Sequence, residues 1–244
     1  MNTMSFRSSG NDYALSISDL MAGLLFVFII ALVIFAIVLN TLIEQKKEEL
    51  YQMTNARQIR DEMLYSLQNS LREYGINVII DLENGILRIP EKVLFRSGSA
   101  TLDEDGMQSM TVVAMVLDSL LPEYAYIMDS NGVIIDKSNN TKKKLEAILV
   151  EGHTDNVPLV AGAPFKDNWD LSASRAITTF QSILKVRPRL DSLLNAKNQK
   201  IFSVSGYADC RPVEDNMDEA GRAANRRIDL RFLMMPPDTL VVKR

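Results

Sequence analysis

Two groups of residues in this chain could do chemistry. The first is a lone carboxylate. Asp19 follows Tyr13-Ala-Leu-Ser-Ile-Ser and precedes an apolar run from Leu20 to Leu39; apart from it, no charged residue occurs between Asp12 and Glu44. An ionisable side chain at the centre of a membrane span costs about 2.5–3.5 kcal/mol or more, so its presence there points to function. Such a carboxyl can bind and release a proton, or sit ionised beside a cation, as its surroundings change. The second group lies in Glu151-Gly-His-Thr-Asp155 and in Asn168-Trp-Asp-Leu-Ser-Ala-Ser-Arg175. His153 is the single histidine and Cys210 the single cysteine, which excludes a His/Cys metal cluster and an intrachain disulfide. No nucleophile–base pair stands out. Glu151 and Asp155 could be cast as a glycosidase pair, but nothing else in the chain supports that. The expectation is a non-enzyme without a cofactor, whose only cargo would be H+ or Na+. A net charge of −4 and the lack of a long basic run argue against nucleic acid as a partner.

These residues need elements to hold them. The 20 residues from Leu20 to Leu39 would span about 30 Å as a helix, the thickness of a bilayer core. A secretory signal peptide has a shorter apolar stretch and a small-residue cleavage site, and Asn40-Thr-Leu-Ile-Glu-Gln-Lys offers none. Asp19 could instead cap the helix start, helped by Ser16 and Ser18. Six uncharged residues precede it, however, so a helix beginning near Tyr13 would carry it into the apolar core. Gly23, four residues on, shares its face and would let another helix approach. Arg7 before the span and Lys46 and Lys47 after it leave orientation undecided by charge.

The expected layout is a short tail over 1–12, a transmembrane helix over 13–43, an amphipathic helical linker over 44–75 and a soluble domain over 76–244. Met63, Leu67 and Leu71 recur at helical spacing in the linker. It reads either as a solvated spacer or as a dimerisation or gating segment. In the domain, Asn77–Leu82 and Gly85–Pro90 read as strands joined by a turn at Asn84-Gly85. Helices follow over 103–121 and 169–185, with strands over 145–151, 201–206 and 226–233. Residues 122–144 look like an inserted surface hairpin and loop. The class is α+β, with helices packed on one mixed sheet.

Five blocks now carry a resemblance. They are Phe95-Arg-Ser-Gly-Ser-Ala-Thr-Leu, Val150-Glu-Gly-His-Thr-Asp155, Asn168-Trp-Asp-Leu-Ser-Ala-Ser-Arg-Ala176, Gly206-Tyr-Ala-Asp…Arg211-Pro212 and Gly221-Arg-Ala-Ala-Asn-Arg-Arg-Ile-Asp229. In this order they resemble the OmpA-like peptidoglycan-binding domain, an α/β sandwich. A single apolar helix with an aspartate before such a domain is similar to MotB-type stator subunits of ion-driven motors. The run Ile17-Ser-Asp-Leu-Met-Ala-Gly-Leu-Leu resembles the MotB-like subunits of the Zorya anti-phage defence system more closely. Flagellar MotB chains usually carry a basic amino-terminal tail and aromatic residues around the aspartate, and this sequence has neither.

The resemblance implies roles. Asp155 and Arg175 would hold the zwitterionic end of diaminopimelate in the cell-wall stem peptide, carboxylate to ammonium and guanidinium to carboxylate. Asn168 and Leu171 would line the same pocket, with Thr154 and Asn225 as further candidates. His153 would order its loop, and Asn225-Arg226-Arg227 would support the fold and the pocket rim. Asp19 would translocate the ion. Two copies of the chain would sit inside a pentamer of a MotA-like or ZorA-like membrane subunit. The protein would be a single-pass inner-membrane protein with a cytoplasmic N-terminus and a periplasmic C-terminal domain. A flagellar-type stator, or a passive peptidoglycan tether without ion transport, would share much of this sequence pattern.

Overall fold

A computed structural model describes residues 9–128, 134, 141–160 and 162–236, with side chains from residue 16 onward. Residues 1–8 of the tail expected over 1–12, and residues 129–133 and 135–140 of the 122–144 insertion, lie outside the described residues. The chain divides into two compact units with the boundary between Gln52 and Met53.

In the first unit, helix α1 (Ser9–Glu73) begins. All its described side chains from Ser16 through Glu48, Asp19 included, are exposed. By length and composition this helix could cross a membrane.

The second unit starts inside the same helix. Ala56, Ile59, Met63, Leu64, Leu67 and Leu71 are buried, and all but Ala56 belong to the core of the soluble domain. Gln68 Nε2 donates to Val78 O at 3.0 Å, tying the helix to the chain that follows it. The expected domain start at residue 76 is therefore too late, and the linker expected over 44–75 is partly core. Helical spacing shows that a helix buries one face, but not what it buries that face against. The domain itself covers it here. The helix ends on Gly75, whose φ of +80° suits the left-handed cap position. Gly75 N donates to Arg72 O and Ile76 N to Leu71 O, closing the last turn.

A five-stranded mixed sheet runs in the order β1 (Ile79–Asp81), β2 (Ile86–Pro90), β7 (Arg227–Met234), β4 (Leu145–His153), β6 (Phe202–Gly206). Only β4 and β6 pair in parallel. Helix α3 (Asn168–Val186) lies between these two in sequence, as a parallel connection requires. Helices α2 (Glu104–Leu120) and α4 (Glu219–Asn225) complete the domain, and both are capped by an aspartate immediately before them. Short strands β3 (Tyr126–Ile127) and β5 (Leu193–Leu194) form a separate pair. Met128 and Ile134 form an isolated antiparallel bridge.

Alternation along the strands splits the sheet into two unlike faces. Leu87, Ile89, Ile148, Val150, Ile228, Leu230 and Phe232 enter the core with α1, α2 and α3. Arg88, Glu151, His153, Arg227, Asp229 and Arg231 are their neighbours of opposite parity and project from the other face.

The assignment of the end of α1 to the core has a measurable cost. Leu67→Ala should lower the unfolding free energy of the soluble domain by about 2–5 kcal/mol, as for other buried leucines. Denaturant titration of the full chain checks this, and a loss below about 0.5 kcal/mol, the surface-substitution range, would return the segment to a spacer role.

Candidate functional site

Thr154, Asp155, Asn168, Leu171 and Arg175 converge where β4 ends and α3 begins. Asp155 follows β4 directly. Asn168 opens α3, which is capped by Asp167 through a 2.9 Å bond from Asp170 N. Asn168, Leu171 and Arg175 are spaced three and four residues apart and share one helix face. Helix α3 can lie this close to the sheet because Gly152 and Gly206 have no side chains. A Cβ on Gly152 would meet Ser172 O at 2.0 Å, and one on Gly206 would meet Ala173 N at 2.7 Å. Ser172 Oγ accepts from Ala208 N at 3.0 Å and so pins the loop after β6 to the same helix.

The result is a cleft of about 500 Å³. Its walls include Ser97 and Gly98, Thr154 and Asp155, Val157 to Val160, and the face of α3. Three arginines and three carboxylates also line it: Arg175, Arg222, Arg226, Glu91, Asp155 and Glu219. They form an alternating chain. Arg175, 2% exposed, donates from Nε to Ser99 O at 2.8 Å and from Nη2 to Glu91 Oε1. Its Nη1 takes no hydrogen bond among the described residues, and the guanidinium lies 5.6 Å from the Phe95 ring centre. Arg226 donates from Nε to Glu91 Oε2 at 2.8 Å, from Nη1 to Asp155 Oδ2 at 2.6 Å and from Nη2 to Glu219 Oε1 at 2.6 Å. Arg222 closes the series on Glu219 at 3.1 Å.

Burial pulls the Arg175 pKa below the ordinary arginine value, against the pull of Glu91. Burial acts the same way on Arg226, but its hydrogen bonds to Asp155 and Glu219 carry it above the ordinary value. Hydrogen bonds from Arg226 and then Arg222 lower the Glu219 carboxyl. Both arginines stay charged at any physiological pH. Asp155 has a second anchor, since its Oδ1 accepts from Val157 N at 3.0 Å. Asn168 Nδ2 bridges Asp155 O and Val157 O, holding the carboxylate's own loop.

This geometry can be set beside known proteins. Residues 94–226, more than half of the chain, match the OmpA family. The chain belongs to the OmpA family. It is 26% identical over 175 residues to Motility protein B of Bacillus subtilis, covering 72% of this chain and 55% of that protein, about half of its length. It is 22% identical over 231 residues to the Zorya protein ZorB of Escherichia coli, covering 93% of this chain and 90% of that one. A crystal structure of a putative MotB-like protein from Desulfovibrio vulgaris has the same fold, with a TM-score of 0.52 at 20% identity over 76% of this chain and 95% of that chain.

Within this OmpA-family domain, Thr154, Asp155, Asn168, Leu171 and Arg175 all line the cleft. Asn225 does not. It is fully buried, accepts from Val213 N and Glu214 N, and donates to Glu214 O and Asn216 Oδ1. An asparagine carries both donors and acceptors, and here all are spent on folding the 213–216 loop. Its neighbour Arg226, read as rim support, is instead a charged wall of the cleft. Glu91, Glu219 and Arg222 were not singled out at all. Asp19 belongs to the other unit and is exposed in the single chain.

The far face of the sheet carries a second ionic cluster. Glu151 receives both Arg231 Nε and Nη2 at 2.9 Å, while Asp229 receives Arg88 Nε at 3.2 Å and Arg227 Nε at 3.0 Å. His153 Nε2 lies 3.6 Å from Asp229 and 3.9 Å from Glu151, and neither ring nitrogen is hydrogen-bonded. One histidine and two carboxylates could in principle hold a metal. Both carboxylates are already matched to guanidiniums, and a cation would be set among arginines, so the donor set does not fit one. Glu151 is fully buried and does not line the cleft with Asp155. His153 stacks on Tyr207 at 5.4 Å, whose other neighbour is Arg211, 3.7 Å from the ring centre.

Burial, followed by Arg227, Arg211, Arg88 and Arg231, pushes the His153 pKa down to about 3. The folded domain therefore holds this histidine neutral. Above the unfolded value near 6.5 it has no effect on stability. Below that value the unfolded chain takes up a proton that the folded one refuses, so stability falls by up to about 1.4 kcal/mol per pH unit down to pH about 3. His153→Phe keeps a stacking ring and should flatten this limb. Unfolding free energies between pH 4 and 7 for both proteins test it, and parallel curves would show that His153 is not the group responsible.

Proposed function

We propose that this OmpA-family chain is the MotB-like subunit of an inner-membrane ion-driven motor, anchored to peptidoglycan and acting in Zorya-type defence. One observation carries the reading. A single chain joins an aspartate in an otherwise uncharged apolar stretch of helix α1 to a cleft lined by balanced charges at the end of β4. The first suits reversible binding of H+ or Na+ in a membrane. The second suits a zwitterionic amino-acid end, with Asp155 facing an ammonium and the guanidiniums of Arg175 and Arg226 facing a carboxylate. Diaminopimelate of the stem peptide has that end. Thr154, Asn168 and Leu171 shape the pocket around it.

Similarity to Motility protein B and to ZorB supports the motor, and the nearly full-length match to ZorB favours the defence setting over the flagellar one. In this arrangement two copies pair within a pentamer of a MotA-like or ZorA-like subunit. The N-terminus is cytoplasmic and the OmpA-family domain periplasmic. Asp19 of each copy binds and releases the ion, and the resulting change in helix packing turns one set of subunits against the other. The wall supplies the fixed frame.

Two measurements separate this from a passive tether. Asp19→Asn keeps size and polarity but abolishes titration. It should preserve assembly with the partner subunit and abolish phage protection; unchanged protection would leave only a tether. Arg175→Ala and Asp155→Ala should each reduce retention on purified sacculi by about tenfold or more, the loss expected for a partly buried charge-assisted contact. Undiminished retention would remove the cleft as the wall site.

A further inference from the structure

Glu91 belongs to none of the motifs in this sequence, yet two arginines of the cleft depend on it. It opens a short 3-10 turn (Glu91–Val93) directly after β2. Its backbone is held at both ends. Glu91 N donates to Arg226 O at 3.0 Å, and Glu91 O accepts from Leu94 N and Phe95 N at 2.9 and 2.8 Å. The side chain is buried, and each carboxylate oxygen accepts from a different guanidinium, Arg175 at Oε1 and Arg226 at Oε2. Glu91 takes a guanidinium at each oxygen, whereas Asp155 takes one guanidinium and one backbone N–H, which leaves Asp155 the less neutralised carboxylate to meet a ligand's ammonium. Glu91 acts on a ligand indirectly. It fixes the plane of Arg175, and it brings the charges lining the cleft into balance.

We propose that Glu91 is a positioning residue that sets the charge specificity of the cleft: by neutralising Arg175 and Arg226 together, it makes the site take a zwitterionic amino-acid end in preference to a bare carboxylate. This rests on the reading of the cleft as the site for the amino-acid end of a stem peptide. Without the carboxylate, three arginines would face only Asp155 and Glu219, and the cleft would attract simple anions. Discrimination then comes from a repulsive element as well as an attractive one.

Three ligands that share the five-carbon core of diaminopimelate test this. Meso-diaminopimelate carries a zwitterion at each end, pimelate keeps only the carboxylates, and pentane-1,5-diamine keeps only the ammonium groups. Binding is measured by calorimetry on the full-length chain in detergent. The wild-type protein should favour diaminopimelate over both. Glu91→Gln keeps an oxygen acceptor for Arg175 and removes one negative charge. It should shift the pimelate-to-diaminopimelate affinity ratio toward pimelate by on the order of tenfold. Glu91→Asp keeps the charge and should restore the wild-type ratio at weaker overall affinity, which a purely structural role would not produce. Arg222→Gln, on the cleft wall, should shift preference the other way, toward the diamine. An unchanged ratio in a folded Glu91→Gln overturns the proposal. Should that variant fail to fold, an unchanged ratio in Arg222→Gln overturns it instead. Failure of the wild-type protein to bind either diaminopimelate or sacculi overturns the reading of the cleft itself.

Discussion

An arginine removed from water has to bring its counter-charge with it, and the site in this OmpA-family domain is organised around that need. Arg175 is 2% exposed. An unpaired guanidinium at that depth would cost several kcal/mol, and Glu91 meets the cost. Glu91 can do so only because β2 and β7 pair at Pro90 and Arg227, which brings the turn after β2 alongside Arg226. Arg226 in turn reaches Asp155 at the end of β4. Strand order, the turn after β2 and the start of α3 are thus bound to one another through ion pairs at a single end of the sheet. The same requirement governs the opposite face, where Glu151 and Asp229 take three arginines between them. One face of the sheet is held by apolar packing and the other by charge, and β4 and β7 contribute to both.

Much of this was legible in the sequence. The hairpin declared itself through Asn84-Gly85, and helix α2 through the apolar spacing of Met110, Val113 and Leu117. Asp155, Asn168, Leu171 and Arg175 stood in blocks whose order identifies the family. What stayed hidden was long-range. Glu91 pairs with Arg175 across 84 residues and with Arg226 across 135, and no local period links them. Their partnership is a product of strand pairing. Asn225 shows the opposite error. Its place beside two arginines suggested the pocket, but an amide can satisfy a loop's backbone as readily as a ligand, and this one is spent on the loop. The linker was misjudged for a third reason. The stripe Met63, Leu67, Leu71 marks an amphipathic helix, but a periodic pattern does not say whether its apolar face is covered, or by what.

That last feature bears on how the protein is made. The residues that complete the core, Ile59 to Leu71, leave the ribosome before every strand of the sheet, and β7, at the centre of that sheet, is made nearly last. The early segment keeps an uncovered apolar face until the final strand arrives, so synthesis must be nearly finished before the domain can close. A fragment cut to begin at the first strand would lack one wall of its interior, however intact its binding motifs.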